Sequence, residues 1–308
     1  MKGHFNSYMK VGIVHPMAYP SAGNCNDLMM ETIQRIAEDE FFGAIEITHI
    51  EDTSVREKIR KMLDISGISV VYGAQPIILG EGLDLNHGDN GKRKKAITRL
   101  KGCIDEACEL GAKAVVLLSG KCPNEAQQKD EAIRLLIDSL NQLCSHALKK
   151  GGINIVLEQF DFDIEKYALI GLAKDARFVA ESVRKEFLNF GLLVDLGHLP
   201  LIREDTGETL RLLAEYLVSV HIGNCVLADT THPAHGDKHP RFGIKGGEVT
   251  NDCLAKFLRL LFEVGVLKAR STNLPIVSYE VKPLPGEDPE LIIANSKRAL
   301  IEAWAKCE

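Results

Sequence analysis

Four short apolar runs in the second half of the chain each end in a residue that can hold a proton or a cation: Ile153–Glu158, Gly191–Asp195, Leu217–His221 and Leu274–Glu280. An apolar run bounded by a turn signal reads as a buried strand that delivers its last polar side chain to a loop. Side chains two apart share a strand face, which pairs Val156 with Glu158, Leu193 with Asp195, Ser219 with His221 and Ser278 with Glu280. One inward-facing residue from each of four successive strands would reach a common axis. Each alone could be a strand-end polar residue bonded to a neighbouring loop. Together, three carboxylates and an imidazole would repel or need raised pKa values unless a cation sat among them. Glu158, Asp195, His221 and Glu280 therefore read as the ligands of one divalent metal ion. That donor set accepts Mn2+, Mg2+, Zn2+, Fe2+ or Co2+. Four protein ligands leave open positions on a five- or six-coordinate ion, which favours manganese, then magnesium. Such an ion can polarise a substrate carbonyl and stabilise the enediolate left when a carboxylate removes the adjacent proton.

The loop after the third run is dense in proton carriers: His232-Pro-Ala-His235-Gly-Asp237-Lys238-His239-Pro-Arg241-Phe-Gly243-Ile-Lys245-Gly246-Gly247-Glu248. A solvated turn is the bland reading. Its position directly after a metal-ligand candidate instead suggests a role over the site. His239, Arg241 and Lys245 are then candidates for substrate contact, the last two offering charge to a substrate oxygen or an anion. His15, at the end of the first strand, is a further candidate for lining the pocket.

The rest of the chain must position these groups. With 308 residues, 45% hydrophobic and 26% charged, it has the makings of a large core and of one domain spanning 1–308. A net charge of −6 argues against grip on nucleic acid or an anionic membrane. No apolar run approaches the roughly 20 residues of a membrane span. Residues 1–9 lack the apolar stretch of a signal peptide and read as a loosely ordered lead-in. The eight cysteines show no CxxC spacing, so a reducing cytoplasm is the simplest compartment.

Strands are expected at 10–15, 44–48, 68–72, 114–118, 153–158, 191–195, 217–221 and 274–280, alternating with amphipathic helices. Ser54 with Glu57 forms a capping-box pattern at one helix start, and the polar stretch Gly73–Gly91 reads as a functional loop. Eight strand–helix pairs imply a (β/α)8 TIM barrel, whose catalytic groups sit at the C-terminal strand ends. A doubly wound open sheet is the alternative, but no strand is followed by GxGxxG or GxxxxGK[ST].

The series Glu158, Asp195-Leu-Gly-His198, His221-Ile-Gly-Asn224 and Glu280 resembles the xylose-isomerase-like barrel superfamily of sugar isomerases, epimerases and endonuclease IV. The resemblance implies that the four strand-end residues bind a divalent ion, commonly manganese. It also implies that Glu158 and Glu280 serve as acid and base on the two faces of a keto-sugar, and that His198 contacts substrate. Asp237-Lys-His239 is similar to a second-metal element of endonuclease IV. The strand ends Tyr72-Gly-Ala and Leu118-Ser-Gly lack the histidines that enzyme's cluster needs, which disfavours DNA repair, and the intact four-residue ligand set disfavours a noncatalytic barrel. The loop looks closer to the metal-bearing large subunit of bacterial C-glycoside deglycosidases. That subgroup implies cleavage of the C–C bond of a 3-oxo-C-glycoside and a smaller beta subunit as partner. A keto-sugar or sugar phosphate isomerase or epimerase is the other reading.

Overall fold

The computed structural model describes residues 3–123, 125–269 and 273–307. In chain order the first half carries β1 Lys10–Ile13, α1 His15–Ala18, α2 Asn26–Glu38, β2 Ala44–Ile47, α3 Thr53–Ser66, β3 Ser69–Gly73, α4 Gln75–Gly80, α5 Asn90–Glu109, β4 Ala114–Leu118 and α6 Lys129–Lys149. The second half carries β5 Asn154–Glu158, α7 Ala173–Arg184, β6 Phe190–Asp195, α8 His198–Ile202, α9 Thr206–Leu213, β7 Leu217–Ile222, α10 Asn251–Glu263, β8 Ile276–Tyr279 and α11 Pro289–Ala305. The eight strands form one sheet in the order β1-β8-β7-β6-β5-β4-β3-β2. The two ends of that order also meet, through a parallel bridge from Val14 to Glu46 and the Gly43 N–H donating to Val11 C=O at 2.8 Å. Sequential order with such closure defines the (β/α)8 barrel.

The chain divides into two compact units, Met1–Glu46 with Val194–Glu308, and Ile47–Leu193. In the first, β8 runs between β1 and β7, with Ser278 aligned to both Gly12 and His221. Gly12 is required there, since a Cβ would collide with Ser278 Oγ. Helix α11 starts on Asp288, whose carboxylate accepts the Glu290 N–H, with Pro289 in the first turn. The expected loose lead-in is instead packed over residues 3–9. Phe5 is buried against Phe41 and Trp304, and the Trp304 indole N–H donates to Gly3 C=O. Aromatic burial of this kind offsets the cost of ordering a short segment.

In the second unit, Leu118 of β4 aligns with Glu158 of β5, and Glu158 with Leu193 of β6. Helix α3 begins on Asp52 rather than Ser54, because the aspartate carboxylate reaches the Ser54 and Val55 N–H groups from one residue further back. The stretch Gly73–Gly91 is not wholly irregular, since it contains α4. Among the described residues no helix is long and apolar enough to cross a membrane. All eight cysteines are free thiols.

Candidate metal centre

Asp195 ends β6 and is fully buried. Its Oδ1 accepts the N–H groups of Gly197 and Gly223, which fixes the carboxylate plane. Both glycines are forced by crowding. A Cβ on Gly197 would press on the backbone of Gly223 and Asn224 at 3.0 Å, and one on Gly223 would meet His239 Nδ1 at 2.5 Å. The Asp-Leu-Gly-His and His-Ile-Gly-Asn spacings thus let two loops close around one carboxylate. Asp195 Oδ2, by contrast, is buried with no hydrogen-bond partner. It lies 3.8 Å from His239 Nδ1 and 4.0 Å from His221 Nδ1.

His221, near the end of β7, has a carboxylate at each ring nitrogen: Glu280 Oε2 lies 2.8 Å from Nδ1 and Glu46 Oε1 2.8 Å from Nε2. Glu46 was not anticipated. Its signal is an acid in Ala44–Ile47, a strand otherwise apolar and buried throughout. By occupying Nε2, Glu46 fixes the ring orientation and leaves Nδ1 aimed at Glu280, as outer-sphere carboxylates do for metal-binding histidines.

His198 opens α8, and its Nε2 lies 3.1 Å from Asp237 Oδ1 and 3.4 Å from His239 Nε2. His239 Nε2 lies 2.6 Å from the same Asp237 oxygen and 3.6 Å from Glu280 Oε1. His239 adopts φ 49°, a left-handed conformation that costs a non-glycine residue on the order of 1 kcal/mol. The Lys282 N–H, donating to His239 C=O at 2.7 Å, holds it there. Ligand atoms of Asp195, His198, His239 and Glu280 all lie within 4.8 Å of one another.

Charge in this cluster is strongly redistributed. Burial raises the Asp195 carboxyl above its ordinary pKa, against the pull of the neighbouring imidazoles. Burial would also raise Asp237, but the His198 and His239 imidazoles outweigh it and hold that carboxyl well below the usual range. Burial opposes a charge on His239, yet Glu280, Asp237 and Asp195 prevail and push it up to about 9. A buried carboxyl pushed up by desolvation, with one unsatisfied oxygen and further acids beside it, fits a divalent cation in their midst.

Glu158 belongs to the other unit. It is the buried last residue of β5, accepts a 2.8 Å hydrogen bond from Gln75 Nε2, and aligns with Leu193, two residues before Asp195 on β6. The remaining expected contacts have local partners. His15 Nε2 lies 2.8 Å from Thr32 Oγ1, tying α1 to α2, and burial pushes the imidazole down to about 4. Arg241 Nε pairs with Glu287 at 2.9 Å, and Lys245 is exposed.

Acids and imidazoles gathered at the strand ends of a (β/α)8 barrel fit a metal centre, and the sequence comparison adds the family. The sequence matches the xylose isomerase-like TIM barrel family over residues 25–262, and the chain belongs to that family. Among solved structures, it is similar to a D-tagatose 3-epimerase-like protein, with 19% identity, a TM-score of 0.71, and coverage of 97% of this chain and 100% of that one. The IOLI protein with a bound zinc atom gives 17% identity, a TM-score of 0.72 and coverage of 97% and 99%. A 3-keto-D-glucoside 4-epimerase from E. coli gives 16%, 0.68, and coverage of 95% and 99%. No curated protein sequence matches the chain.

Proposed function

We propose that the protein is a divalent-metal-dependent epimerase or isomerase of keto-sugars, with Glu158, Asp195, His221 and Glu280 holding the ion. The observation that carries this reading is the buried cluster around Asp195, whose Oδ2 has no hydrogen-bond partner among acids and imidazoles packed within a few ångströms. The names of the similar structures, a D-tagatose 3-epimerase-like protein and a 3-keto-D-glucoside 4-epimerase, support the keto-sugar class. An ion bound there supplies Lewis acidity to a substrate carbonyl and its neighbouring hydroxyl. Manganese is the first choice for three carboxylates and one imidazole.

The chain's own groups do the rest. Glu158 and Glu280 act as the acid and base pair, one removing the proton beside the carbonyl and the other returning a proton from the opposite face. Return to the same carbon gives an epimer, and return to the former carbonyl carbon gives an isomer. His198 donates to a substrate oxygen, its ring steadied by Asp237 at 3.1 Å. His239 sits at the same oxygen of Asp237 and carries positive charge toward the developing enediolate.

The likeness of the loop around Asp237-Lys-His239 to that of C-glycoside deglycosidases supplies a second version of this chemistry. In a C-glycoside lyase, proton loss next to the 3-keto group would be followed by breakage of the bond to the aromatic carbon, which leaves with the electron pair and takes up a proton. That version carries with it a smaller partner subunit. Incubating the metal-loaded protein in deuterium oxide with D-fructose, D-tagatose and 3-keto-D-glucosides separates the readings. Deuterium at the carbon next to the carbonyl with epimer or isomer formation is the expected result. Aglycone release from a 3-oxo-C-glucoside would select the lyase, and no exchange with any substrate would sink both.

A further inference from the structure

A cavity of about 800 Å³ lies in the first unit, walled by Tyr19, Pro20, Leu28, Pro283, Leu284 and Pro285. It is joined to the metal cluster through the chain itself. Lys238, on its lining, sits between Asp237 and His239, and Lys282 is two residues beyond Glu280. The hydrogen bond from Lys282 N–H to His239 C=O ties these two segments together, so two residues of the cavity lining adjoin cluster residues along the chain. None of its walls is needed to hold the ion.

The acids on its lining are already answered by protein groups. Glu287 accepts from Arg241 Nε and from the Leu284 N–H. Asp288 caps α11 through the Glu290 N–H, and Glu290 accepts from the Tyr19 hydroxyl and Arg35. Lys282 is exposed, and among the described residues its ammonium has no carboxylate within ion-pair distance. The first residues of α11 line the same space, with the positive end of the helix already answered by the Asp288 carboxylate. The result is a rigid, proline-walled apolar slot with one uncommitted cation and no uncommitted carboxylate.

Resting on the sugar reading above, we propose that this cavity is the subsite for the non-reacting part of a glycoside substrate: an aromatic group that carries an acidic oxygen. Flat apolar walls of proline, tyrosine and leucine suit a ring. Lys282 suits a phenolate or aryl carboxylate. The volume is that of a complete small-molecule site, at about 300–1,000 Å³, beyond what the reacting sugar at the ion needs. The protein is thereby specific for glycosides over free monosaccharides.

The test is calorimetric titration of the metal-loaded protein with three non-reacting probes: methyl, phenyl and 4-carboxyphenyl β-D-glucopyranoside. Affinity is expected to rise by about tenfold from methyl to phenyl as the ring is buried, and again by about fivefold with the carboxylate. Leu284→Trp, which fills the slot, should collapse the phenyl-over-methyl preference. Lys282→Gln should remove only the gain from the carboxylate, which also excludes its binding to the ion. Metal content of each variant reports that it is folded. Equal affinity for all three probes, no binding of any, or preferences untouched by both substitutions would overturn the proposal. Aryl preference without deuterium exchange on any keto-sugar would sink the reaction and keep the subsite, whereas exchange without aryl preference would do the reverse.

Discussion

The two units of the chain use the same strand–helix repeat but differ in how their buried acids are partnered. In Ile47–Leu193, the buried acids outside the proposed ligand set, Glu106 and Asp161, are answered by protein donors. Glu106 receives the Ile50 N–H at 2.8 Å and the Tyr72 hydroxyl at 3.2 Å, and pairs with His49 at 2.6 Å. Asp161 is collared by the N–H groups of Ile164, Glu165 and Lys166. In the other unit, Asp195, Asp237 and Glu280 crowd three imidazoles, one oxygen of Asp195 accepts nothing, and Glu46 backs the cluster. A folded chain closes its polar accounts where it can. Where it leaves an acid open in a dry, acid-rich place, the missing partner comes from outside, and a cation is the partner that place fits.

Substitutions on the two sides should therefore differ in kind. The largest effect is expected from Asp195→Asn and His221→Ala, which should abolish stoichiometric metal and lower turnover by about 10³-fold or more. Elemental analysis and a rate measurement on manganese-reconstituted protein check both. Glu46→Gln and Asp237→Asn loosen the orientation of His221, His198 and His239 without removing a proposed ligand. They should cost roughly 10–100-fold in metal affinity or activity, read from a chelator competition titration. Glu106→Gln sharpens the contrast from the other side. It should destabilise the protein by about 1–3 kcal/mol in urea melts while leaving metal content intact. Metal loss in that variant would break the distinction between the two units.

The smallest effect concerns His15, buried neutral against Thr32. Its folded pKa of about 4 lies below the ordinary histidine value of 6.5, so below pH 6.5 the unfolded chain takes up a proton that the folded one refuses. Its contribution is complete above pH 6.5 and declines as pH falls toward 4. From pH 7 to pH 5 this group should remove about 2 kcal/mol of stability. His15→Asn should flatten that part of the stability-against-pH curve, and an unchanged slope would show that the imidazole titrates as freely in the fold as outside it.

Much of the architecture was legible because it is written in local periodicity. The apolar runs at 114–118 and 217–221 became β4 and β7 nearly residue for residue, and Gly67 and Gly111 stop helices α3 and α5 at positive φ. The acids and the histidine at the ends of β5, β6 and β7, and Glu280 just past β8, were visible because each breaks an apolar run. What local pattern could not carry was pairing across the chain. Glu46 meets His221 across 175 residues, and nothing in Ala44–Ile47 says which group its acid will face. Lys238 and His239 are neighbours in a loop, yet one lines a cavity and the other joins the cluster. That division is set by the positive φ of His239 and its bond to Lys282, not by composition. The lead-in was misread because its polar residues surround Phe5 and Met9, two side chains that the core takes up.

The most direct test of the account is the metal content of the purified chain after loading with manganese and removal of free ion, measured beside Asp195→Asn. The account predicts about one divalent ion per chain in the native protein and none held by the variant. A native protein that retains no ion, or a variant that retains as much as the native one, would contradict it.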